Sequence, residues 1–229
     1  MHDRIIAWIC RKVHDAGKPG VVVGISGGID SALVACLARE ALGEENVKGF
    51  WLPSISGEEF PDEIHDLVDA CNIALEEIDI APMLVEAESA IQPVLVSLYK
   101  LMGNVAARLR MTVLYALAED LDYLVIGTTN KSEAMIGYYT KWGDAAVDLE
   151  PIADLYKHEV YEMARKYYSD MIPEAIFNKA PSAGLWEGQT DEDELGFKYE
   201  DLLHPPTERI QRLIEETEHK RHMPPTPGV

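Results

Sequence analysis

The chain has 229 residues, of which 47% are hydrophobic, 26% charged and 8% aromatic, a balance that fits one globular domain with a sizeable core. Forty acidic side chains against twenty basic ones leave a net charge of −20, which repels nucleic acid; anionic ligands can bind only where cations, helix N-termini or a metal reverse the field locally. No apolar run reaches the roughly eighteen residues needed to cross a bilayer, and Ile5–Cys10 lacks the cleavage site of a signal peptide.

Scattered Cys10, Cys36 and Cys71 have no metal-like spacing and read as packing thiols in a reducing cytoplasm. Along the chain, the unalternating β-branched run Val21–Ile25 predicts a buried parallel strand. A glycine turn follows at Ser26–Ser31, and then apolar residues at helical spacing from Ala32 to Leu42. Strand, glycine loop and helix open a doubly wound α/β fold with a mostly parallel sheet and helices on both faces. Further strands are predicted at Val47–Leu52, Glu77–Ile80 and Tyr123–Ile126, and helices at 61–75, at 83–101 with a break at Pro93, and from Val105 to Leu117. Tyr138–Leu155 is polar and loop-like. Helices resume at Tyr156–Tyr168 and Thr207–Arg221, with a loop or lid at Pro181–Asp201 between them. No linker divides the chain, so residues 1–229 are expected to form one domain.

The loop Gly24-Ile25-Ser26-Gly27-Gly28 formally satisfies G-x-S-x-G, the nucleophile elbow of serine hydrolases. That fold needs an earlier strand-to-helix loop for its oxyanion donor, and only about twenty residues precede the motif. The Gly-Lys-Ser/Thr ending of a Walker loop is also missing, which excludes an ordinary kinase or GTPase site. What remains is a loop of small residues whose amides and helix dipole converge on one point, a seat for phosphate oxygens. Ser26 and Ser31 can add hydroxyl donors there, and Asp30 can hold Mg²⁺ against the phosphates.

The string Ser26-Gly27-Gly28-Ile29-Asp30-Ser31 resembles the PP-loop of the ATP pyrophosphatases, which split ATP between its α and β phosphates. Later segments resemble the NAD synthetases within that superfamily. They include Arg108-Leu109-Arg110-Met111, Gly127-Thr128-Thr129-Asn130-Lys131-Ser132-Glu133, Gly137–Lys141, Gly143-Asp144, Asp148–Pro151, Asp154–Lys157, Lys179–Ala183, Gly188–Gly196 and His219-Lys220-Arg221. They run in the family's order over most of the chain.

The resemblance implies ATP-dependent amidation of deamido-NAD with ammonia, giving NAD, AMP and pyrophosphate through an acyl adenylate. It implies that Gly24, Ile25, Ser26, Gly27, Gly28, Ile29, Asp30 and Ser31 grip ATP together with Thr128, Lys157 and Ser182, and that Asp30 and Glu133 ligate Mg²⁺. Lys157 is expected to stabilise the departing phosphates, and Asp144 to capture and deprotonate ammonium. Arg108, Lys141, Asp148, His219 and Lys220 match deamido-NAD contacts. Arg108 and Arg110 lie two apart on a helix and so point to different faces; Arg108 is taken as the ligand. Lys131, Tyr138, Tyr139, Trp142 and the unassigned His65, His158 and His204 are left to packing or solvent roles.

Two departures stand out: Ala145-Ala146 where relatives carry Gly-Gly, and Gly184 where they carry Asp. Glutamine-using members resemble fusions with a nitrilase-like glutaminase domain. No such segment occurs here, so free ammonia or a separate supplier is the expected nitrogen source. The resemblance further implies a homodimer with no nucleic-acid or membrane partner. The rival reading is another PP-loop enzyme that adenylates and amidates a different carboxylate.

Overall fold

The computed structural model describes residues 1–55, 57–91, 99–182 and 190–227. Its strands are β1 (Val21–Gly24), β2 (Val47–Trp51), β3 (Ala74–Glu77) and β4 (Leu124–Val125). Its helices are α1 (His2–Asp15), α2 (Ile29–Leu42), α3 (Asp62–Cys71), α4 (Ala81–Ile91), α5 (Tyr99–Leu121) and α6 (Lys131–Ile136), followed by α7 (Lys157–Tyr168), α8 (Glu174–Asn178), α9 (Asp191–Leu195) and α10 (Glu208–Glu216). The strands form one parallel sheet in the order β3-β2-β1-β4, with Val21 paired to both Val47 and Leu124. The chain builds outward from β1 through β2 to β3, then returns to β1's other side for β4. Ligands of open α/β sheets bind beyond the strand ends at such a reversal.

Alternate side chains of a strand point to opposite faces, and β1 divides its valines accordingly. Val21 and Val23 join one core with Ile9 of α1, most of α2, Ile64 and Leu67 of α3 and Val160 of α7. Val22 joins the other, with Phe50, Ile80, Val125 and the α5 residues Ala106 and Ala118. Helices therefore cover both faces, as a doubly wound fold requires. Helix α2 is buried at every position from Ala32 to Ala38 because α1, α3 and α7 surround it. A third cluster, Ile136, Leu195, Tyr199, Leu202 and Ile210, fastens α9 and α10 to α6.

Three expectations are corrected. The third strand lies three residues earlier than Glu77–Ile80, because α3 already ends at Asn72 in the left-handed conformation. The hydrogen bonds from Ile78 N to the Trp51 carbonyl and from Ile80 N to that of Pro53 continue its pairing as extended chain. The 181–201 stretch is not all loop: Thr190 caps α9 by accepting the Asp193 N–H, and a 3-10 turn covers Tyr199–Leu203. The last helix ends at Glu216, followed by a short 3-10 turn Glu218–Lys220. Pro93, Gly184 and the Gly188-Gln189 pair lie outside the described residues. Among the described residues, no helix is long and apolar enough to cross a membrane.

Candidate active site

A cleft of about 620 Å³ opens beyond the C-terminal ends of β1, β2 and β4, at the reversal in strand order. The glycine loop forms one wall. Gly27 takes φ +72°, a left-handed conformation that suits glycine. An added Cβ there would also lie 3.3 Å from Lys179 Nζ. Ser31 ties the loop together: its Oγ accepts the Ser26 N–H at 3.2 Å and donates to the Gly28 carbonyl at 3.0 Å. Helix α2 starts at Ile29 with no side-chain cap, so its first amides face the cleft with the loop.

The opposite wall comes from β4's exit and α6. Asn130 is fully buried and makes a capping box with Glu133: its Oδ1 accepts Glu133 N–H at 3.1 Å, while Glu133 Oε2 accepts Asn130 N–H at 3.2 Å. Asn130 Nδ2 also donates to Asp30 Oδ1 at 2.9 Å, joining the two walls. Lys157, the first residue of α7, stands between them. Its Nζ donates to Asp30 Oδ2 at 2.5 Å and to Glu133 Oε1 at 3.3 Å, with side chains 7%, 15% and 16% exposed respectively. Burial works against the Lys157 charge, but Asp30 and Glu133 outweigh it and hold the ammonium protonated above its usual range. Burial also pushes Glu133 up to about 8, against the pull of Lys157.

The donor set suits a magnesium ion that arrives with phosphate. Mg²⁺ takes one or two carboxylates and completes its octahedron with phosphate oxygens and water. Asp30 and Glu133 supply such a pair beside the phosphate-sized loop, and among the described residues no cluster of three or more His, Cys, Asp or Glu side chains forms an all-protein cage.

Farther along the cleft lie Asp144 and Lys220. Asp144 accepts the Thr140 N–H at 2.9 Å and faces the open cavity while protein surrounds most of it; that burial raises its carboxyl above the usual range. Lys220 Nζ is held by the Gly137 and Tyr139 carbonyls, each at 2.7 Å. Ala145 and Ala146 sit in a turn without positive φ, so the added methyl groups bring no backbone strain.

The cleft of one chain gathers Gly24, Ile25, Ser26, Gly28, Ile29, Asp30, Ser31, Thr128, Glu133, Asp144, Lys157, Ser182 and Lys220. Gly27 shapes the loop from behind. The cleft does not gather Arg108, Lys141, Asp148 or His219. Arg108 is exposed and donates to the Lys141 carbonyl at 3.1 Å, and Lys141 Nζ bonds the His219 carbonyl, so these three cluster outside it. Asp148 accepts Val125 N–H at 2.8 Å, which locks β4 in place.

Four contributors went unassigned in the sequence. Arg110 rather than Arg108 lines the cleft, its guanidinium fixed by the Leu52 carbonyl at 2.9 Å and Ser54 Oγ at 3.0 Å. Lys179 lines it over the glycine loop and pairs with Glu63 at 3.2 Å. Asn130 had a legible signal, the Asn-x-x-Glu of a capping box. Tyr199 had none: its ring lies 5.4 Å from Lys157 Nζ, and its hydroxyl donates to Asp191 Oδ2 at 2.9 Å.

The NAD synthase family model matches residues 1–205. The chain belongs to the NAD synthase family. Among its relatives, the NH(3)-dependent NAD(+) synthetase of Pyrococcus horikoshii is 41% identical over 99% of this chain and 95% of its own length. That of Methanococcoides burtonii is 48% identical over 87% of this chain and 75% of its own. Solved structures agree on the fold. An NMN synthetase from Francisella tularensis superposes with a TM-score of 0.89 at 36% identity, covering 100% of this chain and 97% of the other. An NH3-dependent NAD synthetase from Campylobacter jejuni gives 0.74 at 31% identity, covering 98% and 96%.

Proposed function

We propose that this chain amidates deamido-NAD with ammonia at the expense of ATP, forming NAD, AMP and pyrophosphate. The observation that carries the reading is the convergence of Asp30, Glu133 and Lys157 beside the glycine loop, in a member of this family. A carboxylate cannot be amidated directly, because oxide is too poor a leaving group. A nicotinate oxygen therefore attacks the α-phosphorus of ATP; the Pα–O bond to the β-phosphate breaks, leaving an acyl adenylate and pyrophosphate. Ammonia then attacks the acyl carbon and the C–O bond to AMP breaks, with one proton released.

No enzyme nucleophile enters this scheme, so rate comes from positioning and charge stabilisation. The loop amides from Gly24 to Ser31 hold the phosphates, Thr128 and Ser182 contact ATP, and Lys157 with Lys179 neutralises charge on the leaving pyrophosphate. Asp30 and Glu133 would hold the magnesium ion, which would offset charge that develops on the phosphate oxygens. Asp144, with a carboxyl already raised by its surroundings, takes the proton of ammonium close to where amide forms.

Arg108, Lys141, Asp148, His219 and Lys220 form the deamido-NAD end. Arg108, Lys141 and His219 cluster outside one chain's cleft, and Asp148 is engaged by β4 rather than facing it, which supports a homodimer in which this end is completed between subunits. The whole chain acts as one synthetase unit on free or delivered ammonia. A reducing cytoplasm suits its free thiols, two of which, Cys36 and Cys71, touch at 3.4 Å in the core.

An assay with ATP, Mg²⁺, ammonium and deamido-NAD tests the reading. NAD and AMP should appear in equal amounts and vanish in D30A; ADP, or AMP without NAD, contradicts it. An NMN synthetase shares the fold, so nicotinate mononucleotide is the acceptor to compare in the same assay. A higher kcat/KM for that mononucleotide than for deamido-NAD would select it.

A further inference from the structure

We propose that Lys157 is the resident cation of the metal seat, shutting a divalent ion out of the nucleotide-free protein until the phosphates of ATP draw the lysine away. This rests on the ATP–metal site proposed above, but concerns a state in which no reaction takes place. The Nζ atom lies within 3.3 Å of both carboxylates. An ion bound to the same two oxygens, at the usual distance of about 2 Å from each, would press against that ammonium. Lysine and metal therefore exclude each other at this point.

The structure also gives the lysine somewhere to go. Its backbone N–H is fixed to Ser132 Oγ at 3.0 Å, so the four-carbon side chain is the only part that has to move. The tip borders the cleft that the glycine loop lines, where a triphosphate offers it anionic oxygens. The buried ring of Tyr199 lies 5.4 Å from the ammonium, with its hydroxyl tied to Asp191. While it sits there, Lys157 offsets the repulsion between two largely buried carboxylates. The arrangement prescribes an order: metal enters as the nucleotide complex, and the carboxylates exchange lysine for metal as the phosphates exchange water for lysine.

Mn²⁺ binding to the full-length protein without nucleotide tests this, read from loss of the free-ion electron paramagnetic resonance signal. A D30N/E133Q variant supplies the background expected of an acidic surface. The wild type should match that background. Lys157→Met should bind one additional Mn²⁺ per chain, about tenfold or more tightly than wild type, and D30N in the K157M background should abolish it. If K157M is too unstable to titrate, its melting temperature should rise with Mn²⁺ while that of the wild type does not. Stoichiometric, Asp30-dependent Mn²⁺ binding by the wild type would overturn the proposal, as would a K157M protein with no added affinity and no Mn²⁺-dependent stabilisation. Neither result requires turnover, so either would leave the amidation assay to judge the proposed activity separately.

Discussion

Asn130 has two separable duties, and replacing it by alanine or by serine should separate them. Its side-chain oxygen caps α6, and its side-chain amide holds Asp30 at 2.9 Å, all at a fully buried position. Loss of an N-cap costs about 0.5–2 kcal/mol, and loss of a hydrogen bond to a charged group about 1.5–3 kcal/mol. Asn130→Ala loses both and should be destabilised by about 3 kcal/mol, which for a chain of this size lowers the melting temperature by about 6–12 °C. Asn130→Ser keeps a capping oxygen and loses only the bridge, so it should fall roughly midway. Both variants release Asp30 from its second wall and should raise the KM for ATP more than that for ammonium. Urea unfolding of the three proteins, with initial rates at varied ATP, gives the comparison. If alanine and serine are equally destabilising, or alanine lies within about 0.5 kcal/mol of wild type, the double role is wrong.

Other outcomes follow from the same geometry. Gly27→Ala forces a side chain into φ +72° and against Lys179, and should cost about 1 kcal/mol or more in stability while weakening ATP binding; calorimetric titration checks it. Glu150 sits beside Thr129 N–H at 3.1 Å, and burial pushes its carboxyl up to about 8 from an ordinary 4.5. The folded protein thus prefers the protonated form, so the stability this group contributes is complete below about pH 4.5 and lost as pH rises through about 8. Glu150→Gln should match the wild type in thermal melts near pH 5 and exceed it by up to a few kcal/mol near pH 9; an equal gain at both pH values would refute the cause. Asp144→Asn should reduce amidation most at low ammonium, through a higher KM for ammonium, with ATP affinity kept. A uniform fall in kcat at saturating ammonium would assign Asp144 another role.

Strand β1, its glycine loop and α2 were legible because a buried parallel strand leaves an unbroken β-branched run, and the turn after it needs small residues. Helix α1 was legible in principle: Ile5, Ile9 and Val13 recur at helical spacing, a pattern obscured when the stretch is weighed only as a leader. Strand β3 was misplaced because three of its four residues are exposed, so burial leaves little periodicity to read. The left-handed Asn72 that ends α3 was the better marker. At the site, the chemistry of the glycine loop already singled out Asp30, whereas Glu133 and Lys157 were legible through family resemblance alone. Their contact spans 127 positions in the chain, and no spacing rule encodes it. Spacing placed Arg108 and Arg110 on different faces of α5, but could not say which face meets the cleft. That depends on how α5 packs on β1 and β4, and it is Arg110 that turns inward.

The central claim is attack by the nicotinate carboxylate on the α-phosphorus of ATP, and an oxygen label tests it most directly. Deamido-NAD carrying ¹⁸O in its carboxylate is converted with ATP and ammonium, and the products are weighed by mass spectrometry. With both carboxylate oxygens labelled, each AMP should carry one ¹⁸O and pyrophosphate none, because the bridging oxygen of the adenylate leaves with AMP. Label in an inorganic phosphate, or AMP without label beside newly made NAD, would contradict it.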